Sequence, residues 1–184
     1  MNSLLVTYIL QTEKWTSPEL FETKNRIYTF LNPVSYLIAL ENKSLFEQFD
    51  GIFADGSLLV SAIRLVYGKR VTRRSFDMTS LAPELLNYLM ESRKTLYIVA
   101  SGQEQVECSV RIFQEQYPEL RIAGFRNGYF SSDAEMNKEA SHIVELNPDF
   151  LIVGMGALMQ EKFLLKVKKM GYQGIGFTLS LIHI

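Results

Sequence analysis

Two stretches of this chain put chemically capable residues where an apolar run ends. Phe150 to Val153 leads into Gly154-Met155-Gly156 and then into a helical pattern carrying Gln160, Glu161 and Lys162. Ile52 to Ala54 leads into Asp55-Gly56. A buried parallel strand that ends in glycines and feeds a helix lets a ligand approach the backbone. The first N–H groups of that helix attract an anion. A carboxylate at a strand end, such as Asp55, can take a proton from an attacking hydroxyl, hold a metal or bind a ribose. It can also simply cap the helix that starts near Ser57.

Other residues lie in similar positions. Asn32 follows the run Arg26 to Leu31 and precedes Pro33, so it either caps a helix or hydrogen-bonds a sugar or base. Thr29 lies on that run itself. Arg64, Lys69, Arg70, Arg73 and Arg74 are close in sequence. Arginine matches phosphate oxygens two at a time, so Arg73 or Arg74, leading into the polar turn Ser75 to Thr79, could hold a diphosphate. Arg64, Lys69 and Arg70 read as solvated. The Gln160 amide is placed to reach a phosphate or sugar, or to lie exposed. Tyr129 and Phe130 after Gly128 either stack on a ligand or pack.

The glycines do not make a dinucleotide fingerprint, because position 159 is Met where a third glycine is needed. A nicotinamide-dependent oxidoreductase is therefore disfavoured. His142, His183 and the single Cys108 are too scattered for a zinc cage, though an oxygen-ligated metal stays open. One cysteine excludes an internal disulfide and fits a reducing compartment. A formal net charge of −1 argues against a nucleic-acid partner. The apolar runs fall well short of the ~18 residues of a spanning helix. There is no secretory pattern at the N-terminus. The expectation is a cytoplasmic domain.

The elements that must position these residues alternate. Strand-length runs are expected at Leu4 to Leu10, Arg26 to Leu31, Gly51 to Ala54, Thr95 to Ala100, Arg121 to Phe125, Phe150 to Val153 and from Gly174 to Phe177. Helical patterns are expected near Thr16 to Glu19, and at Pro33 to Glu41, Ser57 to Tyr67, Ser80 to Met90, Gln103 to Tyr117, Ser132 to Leu146 and Leu158 to Met170. Such alternation predicts an α/β domain, Rossmann-like, with a mostly parallel sheet and helices on both faces.

In order, Thr29-Phe30-Leu31-Asn32-Pro33, Phe53-Ala54-Asp55-Gly56, Arg73 to Thr79, Tyr117-Pro118-Glu119-Leu120, Asn127-Gly128-Tyr129-Phe130, Asn147-Pro148-Asp149 and Gly154-Met155-Gly156 to Gln160-Glu161 resemble the WecG/TagA/CpsF family of bacterial glycosyltransferases, glycosyltransferase family 26. The resemblance covers about Arg26 to Thr178. It implies an inverting hexosyl- or N-acetylhexosaminyltransferase. Such an enzyme moves a sugar from a UDP-sugar to an undecaprenyl-diphosphate-linked acceptor, without a required metal or cofactor, in bacterial surface polysaccharide or teichoic acid synthesis. It places the catalytic base on Asp55. It places substrate-binding residues on Thr29, Asn32, Arg73 or Arg74, and Gln160, beside Gly154 and Gly156. A non-catalytic nucleotide-sugar-binding module is the alternative.

Two departures stand out. The family usually has proline two residues before the glutamine, where this chain has Leu158. Family members also continue past the strand near Gly174, with arginines that complete the site and an appendage that meets the membrane. The expectation is one domain over 1–178, with 179–184 a non-family tail from truncation or read-through. Peripheral association with the inner face of the plasma membrane would then run through the missing segment. Self-association through an open cleft is also anticipated.

Overall fold

The structure is a computed structural model and describes residues 4–179. Six strands form one all-parallel sheet: β1 (Arg26–Leu31), β2 (Gly51–Ala54), β3 (Thr95–Ala100), β4 (Arg121–Arg126), β5 (Phe150–Gly154) and β6 (Ile175–Thr178), in the order β2-β1-β6-β5-β3-β4. Five strands are apolar and buried along nearly their whole length, as a sheet covered on both faces requires. The edge strand β4 alternates between exposed and half-buried residues.

Helices cover the two faces in two groups. Residues of α1 (Leu4–Thr12), α3 (Pro33–Glu41), α4 (Lys43–Phe46), α5 (Ser57–Tyr67), α8 (Asp133–Leu146) and α9 (Met159–Lys169) share a core with Leu31, Ile52, Val99 and Val153. Residues of α2 (Ser17–Glu22), α6 (Leu81–Ser92) and α7 (Gln103–Gln116) share the opposite core with Phe30, Phe53, Ile98, Phe150 and Phe177. In that second core Phe177 stacks on Tyr28 and Phe76, with ring centroids 5.2 and 5.1 Å apart.

The run Leu4 to Leu10 is a helix, not the expected strand. A short apolar run rich in Val, Thr, Tyr and Ile fits either element locally. Its buried residues, Leu5, Val6, Ile9 and Thr12, have helical spacing. Tertiary contact decides the matter, because Thr12 Oγ1 donates to Ile52 O at 2.9 Å and so fastens the end of α1 to the edge strand β2. The short helix α4 was not anticipated either. The remaining elements fall within a few residues of the expected ranges.

The chain leaves β3 through α7 on one face toward β4, and leaves the adjacent β5 through α9 on the other face toward β6. Neighbouring strands whose connections part in this way open a crevice beyond their carboxyl ends. That crevice lies between Ala100 and Gly154, which are paired in the sheet.

Candidate active site

A cavity of about 680 Å³ opens in this crevice. Ser101 closes its floor after β3, Gly154-Met155-Gly156 after β5, and Gly128-Tyr129-Phe130 after β4. Ser101 N–H donates to Gly154 O at 3.0 Å, and Gly128 N–H donates to Ser101 O at 2.9 Å, so the three strand ends are tied together. Gly156 turns the chain toward α9 with φ +83°, a conformation that glycine takes without a Cβ clash. Apolar side chains from α6 and α7, including Leu86 and Phe113, line the inner wall. Tyr129 remains three-quarters exposed at the rim. Phe130 instead packs on Phe163 and carries the Arg126 guanidinium 4.0 Å above its ring.

Gly154, Gly156 and Gln160 from the sequence reading all line this cavity. Gln160 is almost fully buried rather than exposed. Its Nε2 donates to Leu179 O at 2.9 Å and to Glu161 Oε1 at 3.1 Å. A backbone carbonyl can only accept, so the amide nitrogen must face Leu179. Both Nε2 protons are thereby committed, so the acceptor Oε1 is the part of the Gln160 amide left for a ligand. An acceptor suits a hydroxyl or an N–H of a sugar or base, and does not suit a phosphate oxygen.

Glu161 holds this arrangement and was not singled out from the sequence. Its side chain is fully buried, and it accepts from Thr29 Oγ1 at 2.9 Å, from Gln160 Nε2 and from Leu158 N–H at 2.6 Å. Burial pushes its carboxyl above the usual range, against the pull of the Gln160 and Thr29 hydrogen bonds. Thr178 Oγ1 donates to Thr29 Oγ1 at 2.9 Å, so the network joins β6, β1 and α9. Thr29 itself is fully buried and does not line the cavity; its hydroxyl is committed to Glu161. Glu161 is part of the family-matching segment that ends Gln160-Glu161, but a charged residue in the first turn of a helix is most often exposed, so by itself it gives no reason to expect a buried hub.

The other sequence candidates gather beyond the ends of β1 and β2. Asp55 N–H continues the ladder to Leu31 O at 2.8 Å, and its side chain is only 13% exposed. Arg73 Nε lies 3.5 Å from Asp55 Oδ1, and Arg73 Nη2 lies 3.2 Å from Asp77 Oδ2. Burial pushes the Asp55 carboxyl up; the Arg73 guanidinium holds it down in part, and the Asp77 charge adds to the rise. Asp77 lines the cavity, so the row Asp55–Arg73–Asp77 runs from β2 to its wall, while Asp55 is not itself part of that wall. Arg74 takes a different path, with its guanidinium 5.5 Å from the Phe53 ring centre. Asn32 Oδ1 accepts from Val34 and Ser35 N–H and caps α3. Its Nδ2 is the part of the side chain left to meet a ligand.

A model described as the glycosyl transferase WecG/TagA/CpsF family matches residues 10–180. The chain belongs to this family. It is 30% identical over 152 residues to a UDP-Gal:alpha-D-GlcNAc-diphosphoundecaprenol beta-1,4-galactosyltransferase of Shigella boydii, an alignment covering 83% of this chain and 63% of that protein. It is 24% identical over 168 residues to an N-acetylglucosaminyldiphosphoundecaprenol N-acetyl-beta-D-mannosaminyltransferase of Bacillus subtilis (strain 168), covering 89% of this chain and 62% of that protein. The chain thus spans less than two thirds of the length of either relative.

Within the WecG/TagA/CpsF pattern the departure at Leu158 now has a physical description. Leu158 has φ +72°, and its N–H is the donor to Glu161 Oε2. Proline, fixed near φ −65° and without an N–H, can supply neither. The turn into α9 therefore follows a path in this chain that a proline at the same position could not take. Residues 180–184 of the expected tail lie outside the described residues. Leu179 continues the β5–β6 ladder through its N–H to Val153 O at 2.8 Å.

Among the described residues no helix is long and apolar enough to cross a membrane. Among the same residues no cluster of three or more His, Cys, Asp or Glu side chains is placed to hold a metal.

Proposed function

We propose that this chain carries the donor site and catalytic base of an inverting glycosyltransferase that uses a UDP-sugar and a lipid-linked sugar acceptor. The observation that carries this reading is the arrangement of the sheet's carboxyl edge. A nucleotide-sized cavity opens between β3 and β5, and a buried carboxylate, Asp55, stands at the end of β2 behind Arg73. Each relative is named for transfer to a GlcNAc-diphosphoundecaprenol acceptor, which supports the acceptor class.

In this reading the donor lies along the crevice. Its base and sugar meet Gln160 Oε1, Tyr129 and the apolar wall. Its diphosphate meets the backbone N–H groups of the turn after β5, with Arg73 supplying positive charge as the UDP leaves. Asp55 takes the proton of the acceptor hydroxyl as that oxygen attacks the anomeric carbon. The new C–O bond forms opposite the breaking bond to UDP, which inverts the centre. Arg73 has two carboxylate neighbours, so it can turn from Asp77 toward the departing diphosphate and still keep Asp55 ionised.

The galactosyl and N-acetylmannosaminyl groups named for the two relatives are both hexose-sized and define the donors to try. The test is transfer from UDP-galactose and UDP-N-acetylmannosamine to synthetic GlcNAc-diphosphoundecaprenol, read by mass of the product. UDP binding without transfer from either donor would favour a binding module instead.

A further inference from the structure

Helix α5, which starts two residues after Asp55, buries only Leu59 and Ile63 of its eleven residues. Its outer side is nonetheless apolar. Leu58, Leu65 and Val66 are 69%, 88% and 69% exposed, and Ala62 is exposed between them. Positions 58, 62, 65 and 66 form one stripe at helical spacing. Val34 and Leu37, each 63% exposed, extend the apolar surface on α3. The two helices begin side by side, with the Gly56 Cα within reach of Pro33: a Cβ there would lie 4.0 Å from its Cδ. A solvated helix has no reason to carry apolar side chains on both sides, and a stripe of this kind marks a docking surface.

The charge on the segment selects the partner. From Ser57 to Arg70 there is no acidic residue, while Arg64, Lys69 and Arg70 are all exposed. Pairing α5 with a second copy of itself would bring like charges together with nothing on the helix to offset them. A surface that is apolar below and anionic above satisfies both parts of the helix: the leucines enter the acyl boundary and the cations meet headgroup phosphates.

We infer that the outer face of α5, with Val34 and Leu37 of α3, docks on an anionic phospholipid bilayer. Only the reason for its place beside Asp55 rests on the transfer reading: an acceptor whose lipid stays in the bilayer must offer its sugar to a base close to the membrane plane.

The experiment is sedimentation of the purified chain with phosphatidylcholine vesicles and with vesicles that also contain phosphatidylglycerol. Binding is expected to the anionic vesicles and to fall with added salt. Replacing Arg64, Lys69 and Arg70 together with Gln should weaken it roughly a hundredfold, at about 1 kcal/mol for each cation. The double variant Leu65→Ser/Val66→Ser should weaken it at least ~tenfold. All five side chains are exposed, so circular dichroism and UDP binding should be unchanged. The inference is overturned if wild type binds neither vesicle, or if both variants bind as wild type does. It is also overturned if the variants abolish self-association in gel filtration and leave vesicle binding intact, which would give the stripe to a second copy. Intact vesicle binding in a chain that binds no UDP would defeat the transferase reading and leave this one standing.

Discussion

Arg73 lies between two carboxylates, 3.5 Å from Asp55 and 3.2 Å from Asp77. A single cation thereby links the residue best placed as a base to the wall of the cavity. Burial and Arg73 pull the Asp55 carboxyl in opposite directions, and burial prevails. This balance makes the pH dependence informative.

In a form of the protein that transfers sugar, Asp55→Asn is expected to lower kcat by about 10² to 10⁴-fold, the usual contribution of a general base. UDP affinity should change little. The folded state disfavours the ionised carboxyl, so the stability Asp55 contributes at low pH is lost as pH rises through its raised folded value. Asn imitates the protonated form, and the variant's Tm at neutral pH should match or exceed that of wild type. Near wild-type turnover would reduce Asp55 to a structural residue.

Arg73→Gln removes the charge that holds the Asp55 carboxyl down. The acid limb of kcat/KM against pH should then move to higher pH, because the base is useful only when ionised. A profile that keeps its position while turnover falls would show that Arg73 acts on the diphosphate alone.

Gln160→Leu should weaken UDP-sugar binding about 2- to 10-fold, the worth of one hydrogen bond. Titration calorimetry can separate donor fragments. The loss should appear with the nucleoside or sugar part and not with inorganic diphosphate, because Gln160 offers an acceptor. A loss confined to diphosphate would mean that the amide points the other way.

Glu161→Ala leaves the Thr29 hydroxyl, the Gln160 amide and the Leu158 N–H without their shared buried acceptor. Urea unfolding should show a loss of about 2 to 5 kcal/mol. Glu161→Gln keeps the shape but turns an N–H2 toward one of these donors, so it should recover only part of it. With the folded carboxyl raised by burial, wild-type stability should decline as pH rises through that value, and the Gln variant should lack this decline. Equal loss in both variants would show that the charge itself is required.

Leu158→Pro should cost about 3 kcal/mol or more, since proline cannot adopt φ +72° or donate to Glu161. Leu158→Gly should be neutral or stabilising by relieving the left-handed strain. The pair can be compared by thermal unfolding. A neutral Leu158→Pro would mean that the turn re-forms along another path.

Most of the fold was legible because buried parallel strands are continuous apolar runs and their helices carry caps and glycine exits. Asn32, Gly68 and the strand Phe150–Gly154 could be read locally. Leu4–Thr12 could not, because its apolar pattern suits two elements and only the edge of β2 chooses between them. For the site, the residue types offered Asp55, Arg73 or Arg74, Gly154, Gly156 and Gln160 as candidates, and only the family resemblance gave them roles. Their relations were decided by the tertiary structure. Strand order brings β3 beside β5 and opens the crevice there. Glu161, 132 positions from Thr29, becomes the buried hub that turns Gln160 into an acceptor. Arg73 is drawn to Asp55 while Arg74 turns to Phe53. Sequence alone determines which groups exist and which local element carries them. The direction of a buried amide or the partner of a cation depends on low-dielectric contacts between distant segments, and those exist only once the chain has folded.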